Sequence, residues 1–297
     1  MFFKNDQLRG AGEVIPMTQE EIQEYLKCQQ DVFYFAKYFT IIGPAGEEKI
    51  TLRPYQEKIM QVICAKIPEK NNRIIMMGRQ TGKTTLATLY ILWYALFHKS
   101  KNIAVLANKA AQASEILLRI KNAYIKLPLW LQQGLKKWNN GEITMENGTK
   151  IFAGASSSSS VRGKSIDLLL VDEFAFIDDN MATAFMQSVF PTQAAKQDAM
   201  MILISTPKGM NHFYNIWQKA KQGKNSFIPC KIQWHEVEGR DQKWWEQQVK
   251  DNGEQFCMQE YACLTGNSLV NVQFSDGTKK NISLQDLYNL QESGVVC

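Results

Sequence analysis

The sequence has no Cys-x-x-Cys pair among its six cysteines, Cys28, Cys64, Cys230, Cys257, Cys263 and Cys297, and only three histidines. The spacings of a structural zinc site are therefore missing, and the thiols read as reduced. There is no basic arm and no long block of like charge; the formal net charge of +5 permits contact with nucleic acid without requiring it. The most apolar stretches, around Ile74 and from Leu86 to Phe97, are short or interrupted by polar residues, so no membrane span is expected. The first residues lack the apolar core of a secretion signal, which fits a chain that stays inside the cell. Against these absences stands a hydrophobic content of 45% over 297 residues, enough for one large domain or two ordinary ones.

What is present centres on residues 74–90, IIMMGRQTGKTTLATLY. Ile74 to Met77 reads as a buried strand, and Leu86, Leu89, Tyr90 and Trp93 follow at helical spacing. Between them, Gly78, Arg79, Gln80, Thr81, Gly82, Lys83, Thr84 and Thr85 form the glycine-bearing turn of a phosphate cradle, whose amides and following helix N-terminus face an anion. Lys83 is expected at the β- and γ-phosphates of a nucleotide, and the Thr84 hydroxyl in the shell of Mg²⁺. Gly82 stands where a side chain would most obstruct the ligand. The usual pattern has glycine five residues before the Gly-Lys pair, and Met77 stands there instead, one step ahead of Gly78.

A second strand-like run, Leu168 to Val171, is apolar at four successive positions and ends in Asp172 and Glu173. Unpaired carboxylates at the end of a doubly covered strand are costly, and a magnesium nucleotide explains both. Asp172 would hold Mg²⁺ and Glu173 would deprotonate the attacking water, giving a Mg²⁺-dependent ATPase. Met200 to Ser205 reads as a neighbouring strand ending in Ser205, Thr206 and Pro207, hydroxyls suited to coupling hydrolysis to movement. Tyr55 and Gln56, some twenty residues ahead of the cradle, suit an adenine: the ring can cover the base and the amide can both donate and accept. Arg79 offers positive charge against the transition state, or alternatively a salt bridge that switches the loop open.

Around these motifs, Thr18 and Glu21 have capping-box spacing for a helix whose apolar stripe runs through Ile22, Tyr25, Leu26 and Phe33, with Phe35, Tyr38 and Phe39 as core. Asn102–Ala107 reads as a strand and Lys109–Tyr124 as a helix, while Asn147-Gly148 signals a hairpin that decorates the sheet. The serine-rich segment 154–165, with Arg162 and Lys164, is either a surface loop or a segment approaching phosphate. The alternation of strands and helices predicts an α/β fold, a mostly parallel P-loop NTPase (ASCE/RecA-like) sheet flanked by helices.

In this order and spacing, Leu52–Gln56, Gly78–Thr85, Ala155–Gly163, Val171–Ile177, Ile204–Gly209, Asn211–Tyr214 and Phe256–Tyr261 resemble the large terminase subunit of T4-like tailed bacteriophages, over residues 15 to 262. The resemblance implies an ATP-driven motor that packages double-stranded DNA into a procapsid, in the host bacterial cytoplasm and transiently at the portal. It implies a portal protein, a small terminase subunit and a ring of identical motor subunits as partners. It also implies roles for Tyr55 and Gln56 at adenine, Arg79 as in-chain arginine, Lys83 and Thr84 at phosphate and magnesium, Asp172 and Glu173 at metal and water, and Ser205–Pro207 in coupling. The family's acidic RNase H-like nuclease is too large for residues 263–297. A helicase-like ATPase would share the sheet but needs a second motor-like domain, which is not found here.

Residues 263–297 open on Cys263-Leu-Thr-Gly-Asn-Ser and run into a hairpin-like Val272–Thr278. They resemble the first block of an intein, which makes Cys263 a splicing nucleophile able to attack the Ala262 carbonyl. Later splicing blocks are missing, so the expectation is a split intein completed by a complementary C-terminal fragment fused to the nuclease, or else a truncated terminase with a non-splicing tail. The expected organisation is a helical cover over 1–50, the ATPase motor over 51–262 and a β-rich intein fragment over 263–297.

Overall fold

The computed structural model describes residues 5–43, 46–156, 165–194, 196, 198–263, 269–274, 277–283, 286–287 and 290. At its start, Thr18 Oγ1 accepts from the Glu21 N–H while the Glu21 carboxylate accepts from the Thr18 N–H. This reciprocal box begins α1 (Gln19–Gln30). The expected stripe through Phe33 is corrected to two helices: Asp31 accepts from the Phe33 N–H and caps a separate α2 (Val32–Phe35). A side-chain acceptor there competes with helix continuation. Ile22 and Leu26 are exposed, whereas Cys28, Phe35 and Phe39 are buried. The cover also contains an antiparallel pair, β1 (Thr40–Gly43) and β2 (Gly46–Lys49), so it is not purely helical.

Pro54 supplies a pre-set first turn for α3 (Pro54–Cys64), which leads into β3 (Asn72–Met77), buried at every position. Arg73 joins the two, donating to the carbonyls of Val62, in the last turn of α3, and Lys70, beyond it. There follow α4 (Lys83–Phe97), β4 (Asn102–Ala107), α5 (Ala110–Ile125), β5 (Leu135–Trp138), β6 (Glu142–Met145), β7 (Lys150–Ala155) and β8 (Leu168–Asp172). The rest comprises α6 (Asp179–Ala194), β9 (Met200–Ser205), α7 (His212–Lys221), β10 (Phe227–Ile232), α8 (Gln242–Asn252), α9 (Glu254–Glu260), β11 (Leu269–Gln273) and β12 (Lys279–Ser283).

Strands β10-β3-β9-β8-β4-β7-β6-β5 form one mixed sheet in that spatial order, parallel from β10 through β7 and antiparallel at β6 and β5. Alternation of the pleat splits the buried strands between two cores. Ile75 and Met77 pack with α3, α4 and α5, while Ile74 and Met76 pack with Phe185, Val189, Phe213 and Trp217 of α6 and α7. Each fully buried aliphatic side chain stabilises the sheet by about 1.5–3 kcal/mol. The hairpin at Asn147-Gly148 is integral rather than decorative, because β7 runs parallel to β4 over six residue pairs. Beyond the sheet, β11 and β12 pair antiparallel around a turn with Gly277 at φ 84°. Arg162, Lys164 and the Gly-Asn-Ser turn at 266–268 lie outside the described residues.

Candidate active site

Insertion of β9 between β3 and β8, with Met76 opposite Ser205 and Asp172 opposite Ile204, brings three strand ends to one edge of the sheet. That crevice, beyond the carboxyl ends of parallel strands, is where open α/β sheets take ligands. The turn after β3 carries Gln80 at φ 56° and Gly82 at φ 78°, both left-handed. At Gly82 the backbone itself disfavours a side chain, and a Cβ would also fall 2.8 Å from Gln56 Nε2. Thr81 Oγ1 donates to the Gly78 carbonyl at 2.7 Å, closing the turn. Gly82 then precedes α4 without side-chain capping, leaving the helix's first amides for another acceptor. Thr84 and Thr85 stand in that first turn, both partly buried.

Lys83 is 8% exposed, and its Nζ lies 3.3 Å from Glu173 Oε1. The ammonium nevertheless makes no hydrogen bond and is shut off from solvent. A buried cation held by distance alone retains donors for a stronger acceptor. Glu173 is left-handed at φ 53°, and its N–H donates to Asp172 Oδ1 at 3.0 Å. Burial, and next the Glu173 charge, push the Asp172 carboxyl from 3.8 up to about 6. Ser205 Oγ accepts from the Ala175 N–H at 3.1 Å and donates to Glu173 Oε2 at 3.4 Å. Thr206 Oγ1 beside it is buried without a partner, and Pro207 follows the strand end.

Among the described residues no group of three or more His, Cys, Asp or Glu is placed to hold a metal. The donor set present, one carboxylate at Asp172 and one hydroxyl at Thr84, fits Mg²⁺ carried in on phosphate. That ion commonly takes one or two carboxylates and fills the rest of its octahedron with substrate oxygens and water.

Arg79 points elsewhere in this state. Its Nε lies 2.5 Å from Glu260 Oε2, an ion pair without hydrogen-bond angle, and its N–H donates to the Glu260 carbonyl at 2.9 Å. Arg79 is thus ion-paired to Glu260 in this structure. Tyr55 is buried, and its hydroxyl donates to the Thr81 carbonyl at 3.2 Å. Gln56 accepts from the Arg53 N–H at 3.0 Å while its Nε2 abuts Gly82. Next to them opens a pocket of 410 Å³ between Pro54 and Tyr55 on one side and residues 235–241 on the other. Arg240, on that second wall, donates to the Arg79 and Gln80 carbonyls. Sequence reasoning passes over Arg240, which carries no local signal, and places Glu260 only within the Phe256–Tyr261 block, with nothing to tie either residue to a turn more than 150 residues away.

Cys263 is the remaining sequence-selected residue. It is fully buried in the second core, left-handed at φ 51°, and burial pushes its thiol up to about 12.

Over residues 74–278 the sequence matches the family described as terminase large subunit, T4-like virus type, N-terminal. The chain belongs to that family. The matched range of this terminase chain extends past Cys263 into β11 and the turn beyond it. In fold it is similar to the large terminase of bacteriophage HK97, with a TM-score of 0.67 and 18% identity over 82% of this chain and 56% of that one. The ATPase domain of the Thermus phage P74-26 large terminase matches with a TM-score of 0.57 and 18% identity, over 71% of this chain and 92% of that domain. The large terminase of the thermophilic bacteriophage D6E in complex with ATP-gamma-S matches at 0.56 and 13%, over 74% of this chain and 54% of that one. The terminase chain thus spans 56% of the HK97 protein's length and carries the α/β fold of terminase ATPase domains. Among the described residues no helix is long and apolar enough to cross a membrane.

Proposed function

We propose that the chain is the ATP-hydrolysing motor part of a DNA-packaging terminase. The observation that carries this is the buried, hydrogen-bond-free Lys83 ammonium 3.3 Å from Glu173, at the mouth of an uncapped phosphate turn. The D6E relative's ATP-gamma-S complex supports the same ligand class. On this reading Lys83 exchanges Glu173 for the β- and γ-phosphates of ATP, while amides of the 78–85 turn other than that of Arg79 cradle the phosphate chain and Tyr55 and Gln56 meet the adenine side. Thr84 and Asp172 would hold Mg²⁺, which when bound offsets charge on the terminal phosphates. Glu173, released from Lys83, takes the proton of the water that attacks the γ-phosphorus. Ser205 steadies the Glu173 carboxylate, and Ser205, Thr206 and Pro207 relay loss of the γ-phosphate to the neighbouring strand. Arg79 acts as the stabilising arginine once it leaves Glu260. Double-stranded DNA, a portal protein, a small terminase subunit and a ring of like subunits are the proposed partners, in the host cytoplasm and at the procapsid portal.

Glu173→Gln tests the chemistry. Turnover by phosphate release should fall at least about 100-fold, the usual worth of a positioned base, while ATP binding persists; unchanged turnover would remove Glu173 from the role.

For the tail we propose an N-terminal split-intein fragment over 263–297, beginning at Cys263, with the nuclease joined by trans-splicing. The Cys263-Leu-Thr-Gly-Asn-Ser pattern and the β11–β12 hairpin support it. A non-splicing tail is the second reading, favoured by the burial of Cys263 and the family match through residue 278. Mixing with the complementary fragment separates them: a ligated product lost in Cys263→Ala is splicing, and its absence leaves the second reading.

A further inference from the structure

Arg240 belongs to none of the sequence motifs, yet it grips the phosphate turn. Its Nη2 donates to both the Arg79 carbonyl at 2.9 Å and the Gln80 carbonyl at 3.3 Å, so two successive carbonyls converge on one nitrogen. Between them the chain takes the left-handed conformation at Gln80, which a residue with a side chain adopts reluctantly. Carbonyls drawn outward leave the one intervening amide, that of Gln80, for the inside of the cradle. The guanidinium is itself fixed: its Cζ stands 4.8 Å from the Trp244 ring centroid and 5.5 Å from that of Tyr261. Asp241 caps the helix that carries Trp244 by accepting from its N–H at 2.8 Å. Arg240 Nη1 is buried with no acceptor, so the group is held in place at a cost to its own satisfaction. Arg240 also lines the 410 Å³ pocket opposite Tyr55, whose hydroxyl holds the next carbonyl, that of Thr81.

We propose that Arg240 is a positioning residue for nucleotide binding: by drawing together the Arg79 and Gln80 carbonyls it holds Gln80 left-handed and keeps the phosphate cradle formed before ligand arrives. The proposal rests on the ATPase reading for its ligand, a nucleoside triphosphate, but not for its structural effect. Lysine cannot replace the planar fork, since a single ammonium on a flexible stem lacks the guanidinium's stacking face. Glycine at position 80 adopts the left-handed conformation freely and so removes the need for the clamp.

The test compares wild type, Arg240→Ala, Arg240→Lys and the double variant Gln80→Gly with Arg240→Ala. In the nucleotide-free chain, hydrogen exchange of the Arg79 amide, which donates to the Glu260 carbonyl, should quicken about 10-fold or more in Arg240→Ala, with protection of β4 and β8 unchanged. With ATP, Kd and KM should rise about 10-fold while kcat changes less than about 3-fold, Arg240→Lys should recover little, and the double variant should recover most of the loss. Unchanged exchange at Arg79 together with unchanged ATP affinity overturns the proposal, as does a double variant that recovers nothing. A wild type that binds no ATP while its Arg240→Ala variant still loses protection at Arg79 sinks the ATPase reading and leaves the clamp standing.

Discussion

Replacing Asp172 by Asn should make the nucleotide-free chain more stable, by an amount that depends on pH in a fixed direction. Burial and the adjacent Glu173 raise the Asp172 carboxyl from 3.8 to about 6. Between those two values the folded chain keeps a proton that the unfolded chain has released, so stability falls as pH rises through the window and the full cost persists above it. The separation of the two values corresponds to about 3 kcal/mol at pH 8. Asparagine keeps an oxygen for the Glu173 N–H and carries no charge to desolvate. Urea unfolding in EDTA should therefore show Asp172→Asn stabilised by about 2–3 kcal/mol at pH 8 and by close to nothing at pH 4. Mg²⁺-dependent turnover should be lost at the same time, a stability gain made at the expense of activity. A variant less stable than wild type at pH 8, or one equally stabilised at both pH values, refutes the reasoning.

Local geometry sets two more outcomes. Gly82→Ala forces a side chain into a left-handed position 2.8 Å from Gln56 Nε2, costing about 1–2 kcal/mol in conformation alone; calorimetric titration should show ATP affinity reduced at least about 10-fold. Cys263, with its thiol pushed up to about 12 and fully buried, should resist iodoacetamide at pH 8 in the folded chain and react at the rate of a free thiol in urea, as peptide mass spectrometry can score. Rapid labelling of the folded chain would contradict the packing described for residues 260–263.

Strands β3, β4, β8 and β9 are legible in the sequence because each is an apolar run ended by a polar or turn-forming residue, and the phosphate turn because its glycines and Lys83 stand at fixed spacing. Strand β10 is not, since Pro229 within Phe227–Ile232 argues against a strand; it is tolerated because β10 lies at the sheet edge, paired among the described residues only to β3. The break at Asp31 is masked by the continuing apolar stripe, although an Asp two residues ahead of Phe33 can cap a new helix. Strand order is equally invisible. Nothing in Met200–Ser205 says that it inserts between β3 and β8, yet that insertion sets Ser205 beside Glu173. Arg79 shows the limit most sharply: its spacing within the turn suits both a transition-state charge and a switch, and its ion-pair partner Glu260 stands 181 residues away.

The ATPase reading requires Lys83, Thr84, Asp172 and Glu173 to share one magnesium nucleotide. A structure of the chain with Mg²⁺ and a slowly hydrolysed ATP analogue tests this directly. Lys83 Nζ should then lie about 3 Å from the terminal phosphate oxygens and be parted from Glu173, with Thr84 and Asp172 on the metal. An analogue bound elsewhere, with the Lys83–Glu173 pair still at 3.3 Å, would contradict it.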